Sequence, residues 1–390
     1  MLSLFDNINK SEKQTCPFPT GILHVYLSRL RKNIETIRSR AIESSGNKNL
    51  KFLLPVKANA YGHGMIAVST FVQQEKLCDY LGVAHLTEAH ALRNHGIAIP
   101  ILVHGQISSD VESLKYVVES DIEIEISEPV LLKKMQDVAS RIGKTAKIHL
   151  SVDTGMGRTG ALPENTPALL HAIATCENIH LAGVMTHFSV ADEKNEEEKA
   201  FTRNQIETFK QVKDEVQKQF HHYLIFHASN SAGTESYQEG IFDMIRPGIA
   251  SYGYGEDVEP VMELTTSLTL VKTFPPEHPI GYGRTYNSSD QNRKFGIIPI
   301  GYGDGLSRAL SNKAEFIVNG SKRRLAGRIS MDQCSIELDG DDTIGDEVVI
   351  LGKQGKISVN AADLAKRAGT ISYEILCFLG NAKRLRHEYH

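Results

Sequence analysis

KFLLPVKANAYGHG, residues 51–64, sets an apolar run directly before a lysine and then a turn rich in small residues. The run reads as a strand buried on both faces. The segment after it, MIAVSTFVQQEKL (65–77), repeats apolar residues at three- and four-residue spacing, as a helix does. Strand followed by helix is the unit of parallel sheets, and here the unit recurs. LGVA (81–84), PILVHG (100–105), IEIEI (122–126), KIHLSV (147–152), LAGVMTHF (181–188), HYLIFHAS (222–229) and FDMIRPG (242–248) each read as a further strand. Helical patterns such as TEAHALRNHG, EPVLLKKMQDVASRIG and AFTRNQIETFKQVKDEVQKQF stand between them. Eight such units ending near residue 256 predict a closed (β/α)8 TIM barrel, which takes ~250 residues. An open doubly wound sheet is the competing architecture.

Toward the N-terminus, LSRLRKNIETIRSRA carries Leu27, Leu30, Ile34 and Ile37 at helical spacing, behind a polar arm. Beyond Asp257 the texture changes to TTSLTLVKTF, KFGIIPI, EFIVN and DEVVILG, with little helix until AADLAKRAGT and ISYEILCFLG. The expected organisation is an N-terminal arm (1–20), a barrel (21–256) and a C-terminal mainly-β domain (257–390).

The 43 basic and 47 acidic residues are intermixed and leave a net charge of -4, so neither nucleic acid nor an anionic membrane is an expected partner. No apolar run reaches the ~18 residues of a membrane span, and the first residues lack the pattern of a secretory leader, which predicts a cytoplasmic protein. Five cysteines stand far apart without a CxxC pair, so neither a metal site nor a disulfide framework is expected.

In a parallel barrel the reactive groups stand at the carboxyl ends of the strands. Lys57 follows the first strand, with Tyr61 in the turn beyond it. VDTGMGRTG places Asp153 and Arg158 after the fifth strand, His187 closes the sixth, HASNSAG offers Asn230 and Ser231 after the seventh, and RPGIASYG offers Arg246 and the Gly248–Ile249 amides after the eighth. Each has an ordinary reading as a loop charge, a core histidine, a helix cap or a structural arginine. Together they would converge on one mouth, where hydroxyl and backbone N–H groups suit a phosphate.

PVKANAYGHG, VDTGMGRTG, THF, HASNSAG, RPGIASYG, GYGRTY, IGYGDG, GRISMDQ and SYEILC, in this order from Lys57 to Cys377, resemble the alanine racemase family. The resemblance implies an N-terminal barrel that binds pyridoxal 5'-phosphate, a C-terminal β domain, and a homodimer with active sites at the interface. It implies that Lys57 holds the cofactor covalently through its amine, that Tyr61, Ser231, Gly248, Ile249 and Tyr373 surround the phosphate, and that Arg246 faces the pyridine nitrogen. Tyr282 would arrive from the other subunit as the second base, with His187 in its hydrogen-bond chain and Arg158 near the cofactor's phenolic oxygen. The partner's Met331 would bind the substrate carboxylate through its N–H, and Tyr302 and Asp332 would stand near the entrance.

The implied activity is interconversion of L- and D-alanine by two bases, Lys57 on one face of Cα and Tyr282 on the other. D-alanine would be supplied for peptidoglycan, or degraded in the reverse role. Free lysine and tyrosine ionise near ~10, so both need neighbours that favour the neutral amine and the phenolate. A racemase of broader specificity, a decarboxylase on the same scaffold and a non-catalytic cofactor carrier are the alternatives. Arg246 speaks against the decarboxylase, since decarboxylases commonly place an acid at the pyridine nitrogen; GYGRTY speaks against the carrier. Three positions depart from the family pattern: Ser151 replaces a lysine whose carbamate helps hold the arginine at 158, Ser330 replaces a common cysteine, and the ending KRLRHEYH leaves the roles of Arg384 and Arg386 open.

Overall fold

All eight apolar runs form strands: β2 (Lys51–Pro55), β3 (Tyr80–Val83), β4 (Ile101–Val103), β5 (Ile122–Ile126), β6 (Ala146–Ser151), β7 (Ile179–Met185), β8 (Ile225–His227) and β9 (Met244–Ile245). This computed structural model describes residues 6–390 apart from 7, 11, 12, 15, 106, 289 and 290; of the expected arm, residues 1–5, 7, 11, 12 and 15 lie outside the described residues. The strands are parallel neighbours in chain order, and β2 also pairs with β9, so the sheet curls on itself. Between β8 and β9 the seam is bridged by backbone bonds, Asp243 N–H to Phe226 O at 2.8 Å and Arg246 N–H to Ser229 O at 2.9 Å. Closure of this kind excludes the open doubly wound sheet.

The second sheet runs in the order Leu270–Phe274, Arg293–Ile298, Cys334–Leu338, Ser321–Ala326, Glu315–Val318, Glu347–Gln354, β10 (Met262–Ser267), β1 (Gly21–Val25) and Leu385–Tyr389, with Ile357–Val359 paired to Glu347–Gln354. Here the structure differs from the expected organisation. The strand β1, grouped with the barrel from its place in the chain, pairs antiparallel with β10 (Ile22↔Thr265) and parallel with the last strand (Ile22↔Arg386). Pairing between segments so distant leaves no local pattern to read. The helix Leu27–Ser45 follows β1, burying Leu27, Leu30, Ile34 and Ile37. One connected apolar core includes residues of the barrel and of the second sheet.

Two features at the join position the site. Ala58, Asn59, Ala60 and Tyr61 all have positive φ, between 52° and 58°, forming a left-handed turn without a glycine directly after Lys57. Left-handed backbone costs an L-residue roughly 1–2 kcal/mol, so the turn needs anchors. Asn59 supplies two: its Oδ1 accepts from Met65 N–H at 2.8 Å and its Nδ2 donates to Gly380 O at 3.3 Å. Gly380 ends the helix Ser372–Gly380, and a Cβ there would stand 2.0 Å from Gly62 O; one on Gly62 would stand 2.4 Å from Leu376 O. Two residues without side chains thus let this helix press against the turn, bringing Tyr373 beside Tyr61 with ring centroids 5.8 Å apart. Among the described residues no helix is long and apolar enough to cross a membrane.

Candidate active site

The mouth of the barrel holds a cavity of about 820 Å3 of empty space, counting its open side. Lys57, Tyr61, Arg158, His187, Asn230, Ser231, Arg246, Gly248 and Tyr373, all singled out from sequence, line it, as do His104, Glu125 and Ser151. Lys57 reaches it because β2 ends two residues earlier, at Pro55, and the left-handed turn carries the chain away. The turn is pinned from outside by Glu88, whose carboxylate accepts from Ala58 N–H at 2.7 Å and Ala84 N–H at 2.8 Å. Burial, and next the charge of Arg158, hold the Lys57 amine below the usual lysine range.

Arg246 is 4% exposed, and both of its terminal nitrogens are engaged. Its Nη1 donates to His227 Nδ1 at 2.8 Å, and its Nη2 faces Thr186 O at 2.8 Å, Ala228 O at 2.9 Å and His187 Nδ1 at 3.3 Å. A guanidinium only donates, so His227 Nδ1 must be an acceptor, while the two hydrogens of Nη2 are matched by the two carbonyls. His227 therefore carries its proton on Nε2 and donates to His149 Nδ1 at 2.8 Å. His149 in turn carries its proton on Nε2 and donates to Glu123 at 2.7 Å. Burial holds His227 and His187 well below the usual imidazole range, so both rings are neutral. One line of hydrogen bonds, with every proton placed, thus runs down the barrel from Arg246 to Glu123. Burial lowers the Arg246 pKa to about 10, which leaves it charged at neutral pH.

On the opposite wall, donors gather around a small space. Asn230 caps the helix Ser231–Ser236 by accepting from Gly233 N–H at 2.9 Å, and the Ser231 hydroxyl accepts from Ala250 N–H at 3.2 Å. Ile249 is buried directly beside Gly248. A Cβ on Gly248 would lie 2.4 Å from the Tyr61 hydroxyl, so only glycine leaves that phenol its place. Burial pushes Tyr61 up and Tyr373 up to about 12, keeping both phenols protonated as donors.

The loop after β6 is shaped by Asp153, whose carboxylate accepts from the N–H groups of Gly155 (2.9 Å), Met156 (2.7 Å), Gly157 (3.1 Å) and Arg158 (3.2 Å). Behind it stands a group the sequence reading passed over: Glu125, 3% exposed, accepting from His104 Nδ1 at 2.7 Å with the Ser151 side chain within hydrogen-bonding reach. Burial raises its pKa to about 7. The signal was present in IEIEI, where two acids alternate in a barrel strand with no solvent on either face, and in PILVHG, which ends on the histidine.

Four expected residues lie away from the cavity of their own chain. Tyr282 is 72% and Met331 54% exposed. Tyr302 lines a separate groove with Cys377 and Phe378. Asp332 pairs with Arg384 Nη1 at 2.6 Å, and Arg384 also binds Asp304 through Nε at 2.7 Å and Nη2 at 3.0 Å. Arg384 thus ties IGYGDG to GRISMDQ, while Arg386 pairs with Glu388 at 2.8 Å. The five cysteines are free thiols.

Comparison with known proteins gives a consistent result over both sheets. The family described as "Alanine racemase, N-terminal domain" matches residues 25–256, and "Alanine racemase, C-terminal domain" matches 261–389. An alanine racemase of Cutibacterium acnes is 36% identical over 371 residues, covering 93% of this chain and 96% of its own. One from Treponema denticola is 37% identical over 90% of this chain and 94% of its own. The crystal structure of alanine racemase from D-cycloserine-producing Streptomyces lavendulae superposes with a TM-score of 0.87 at 32% identity, covering 95% of this chain and 97% of that one. The Bacillus anthracis enzyme, solved with bound L-Ala-P, gives 0.83 at 29% identity, covering 93% of each chain. Barrel, second sheet and the convergence of lysine, histidine and arginine on one mouth place this chain in the alanine racemase family.

Proposed function

We propose that this protein interconverts L- and D-alanine, using pyridoxal 5'-phosphate held at the barrel mouth and a second copy of the chain to complete each site. The observation that carries this reading is the layout of one cavity. It has a partly buried amine, a charged guanidinium, and a wall of hydroxyl donors in which Gly248 leaves the Tyr61 phenol its place. That donor set suits the cofactor: Ser231, Tyr61 and Tyr373 with the Gly248–Ile249 backbone would hold the phosphate, Arg246 would face the ring nitrogen, and Lys57 would bind the aldehyde carbon. The cofactor supplies an electron sink for the pair left when Cα loses its proton.

The residues of this chain do the rest. Lys57, kept below its usual pKa, accepts or returns the proton on one face of Cα. Tyr282 of the partner subunit serves the other face, which accounts for its exposure here. Arg246 stays charged and can only donate, so it would leave the ring nitrogen unprotonated and limit the sink to what proton exchange requires. Arg158 stands where an anionic group of the bound pair would be drawn. The proposed location is cytoplasmic, and the D-alanine made would serve peptidoglycan.

Incubation with L-alanine in deuterium oxide tests the reading. D-alanine carrying deuterium at Cα is expected, with slower or no exchange of L-serine, L-lysine and L-arginine. Release of carbon dioxide, or absence of the enantiomer, overturns it.

A further inference from the structure

Among the described residues lining the cavity, Glu125 is the only carboxylate, set among Lys57, Arg158 and Arg246. A negative charge is out of place in a pocket meant for a phosphate and an amino-acid carboxylate unless it serves one of the cations. Arg246 is already engaged by Thr186, Ala228, His187 and His227, and the Lys57 amine stands at the end of β2. Arg158 is different. Its backbone is fixed through Asp153, but among the described residues its guanidinium makes no hydrogen bond, and it is exposed at the mouth. Glu125, by contrast, is rigidly placed. It projects from near the C-terminal end of β5, buried, with Oε1 held by His104 at 2.7 Å. The neighbouring strand contributes Ser151, which brings a hydroxyl but no charge. Both side chains line one cavity; of its two arginines Arg246 acts on Glu125 the more strongly and Arg158 less, and only Arg158, unpaired with Glu125 among the described residues, is free to turn toward the carboxylate.

We infer that Glu125 is the positioning residue for Arg158: its carboxylate, oriented by His104 and Ser151, is the anchor that holds the guanidinium in place as substrate enters. The inference rests on the proposed racemase reading for its consequence in turnover, but the pairing itself is open to a direct test. His104 holds Oε1, and the lone pairs that His104 and Ser151 leave on the carboxylate are open to an N–H of the guanidinium. Without the anchor, Arg158 would lose its fixed orientation toward the anionic group of the bound pair.

The test uses the purified dimeric protein as Glu125→Ala, Glu125→Gln, Arg158→Ala and Glu125→Ala/Arg158→Ala. Calorimetric titration with formate reads the pairing without turnover. A formate site is expected in Glu125→Ala, where the anion occupies the vacated place, and not in wild type or in the double variant. In the holoenzyme, Glu125→Ala and Glu125→Gln are each expected to raise KM for alanine on the order of tenfold. Formate should restore only the alanine variant, and the double variant should be no worse than Arg158→Ala. Equal formate binding by Glu125→Ala and the double variant, or by neither, overturns the inference, as does full additivity of the two substitutions. A wild-type protein that does not racemise alanine would overturn the functional reading instead, while the calorimetry still decides the pairing.

Discussion

Arg246 Nη1 and His227 Nδ1 stand 2.8 Å apart, and this single contact determines the position of every proton down to Glu123. Replacing His227 with leucine strands a buried guanidinium donor and breaks the line beneath it. Such a loss costs about 1–3 kcal/mol, so chemical denaturation of His227→Leu should show a drop of that size. His227→Gln, which can restore an acceptor, should lose less. Equal stability of wild type and leucine variant would show that the contact contributes nothing.

Lys57 should behave as an amine of lowered pKa. In cofactor-free protein, its reaction with an amine-directed reagent should reach half-maximum at a pH below that of an ordinary lysine. After burial, Arg158 is the largest cause, and its positive charge disfavours the protonated amine. Arg158→Met should therefore move the midpoint upward. Lys57→Ala should reduce racemisation by roughly a thousandfold and abolish borohydride trapping of the cofactor.

Arg246→Glu reverses the charge facing the ring nitrogen and sets a carboxylate against the carbonyls of Thr186 and Ala228. With the nitrogen now able to hold a proton, the electron pair should persist longer. The expected result is slower racemisation, greater long-wavelength absorbance and pyruvate formation by transamination. A folded variant with an unchanged spectrum and no pyruvate contradicts the assigned role of Arg246.

Lys57→Ala and Tyr282→Phe should each be nearly inactive alone. Denatured and refolded together in equal amounts, they should regain about a quarter of wild-type activity, because half of the dimers are mixed and each has one intact site. No recovery would place both bases on one chain.

Gly380→Val puts a side chain where Gly62 O already lies. The helix Ser372–Gly380 must retreat, at a cost of about 1–3 kcal/mol, and cofactor retention should fall along with stability. A variant with unaltered retention would show that the turn after Lys57 keeps its shape without that helix.

Much of this was legible in the sequence, for identifiable reasons. The barrel strands are apolar runs ended by polar residues, so the residues at and just beyond their C-terminal ends, Lys57, His187 and Arg246 among them, fall at one mouth on sequence alone. The helix beginning at Leu27 followed from its spacing. Less local facts were hidden. The pairing of β1 with β10 depends on residues far along the chain, and the left-handed turn contains no glycine to announce it. IEIEI looks like half-exposed alternation, yet both acids face the barrel interior, because in a closed parallel sheet the inward face is no more solvated than the outward one. Tyr282 and Met331 were recognisable only through the resemblance, since in their own chain they touch nothing that marks them.

The meeting of Gly62 with Gly380 also bears on how a substrate can get in. The lysine and Tyr373 are mounted on opposite sides of a backbone-to-backbone joint, locked by Asn59, so those two walls travel as one piece. Hinging along the seam between the sheets would carry both walls in the same direction and open nothing. Under the proposed reading, admission would fall to the loop that carries Arg158, whose shape is held by Asp153 and not by that joint. Gate and catalytic mount would then be separate pieces, and the gate would be free to set which side chains pass.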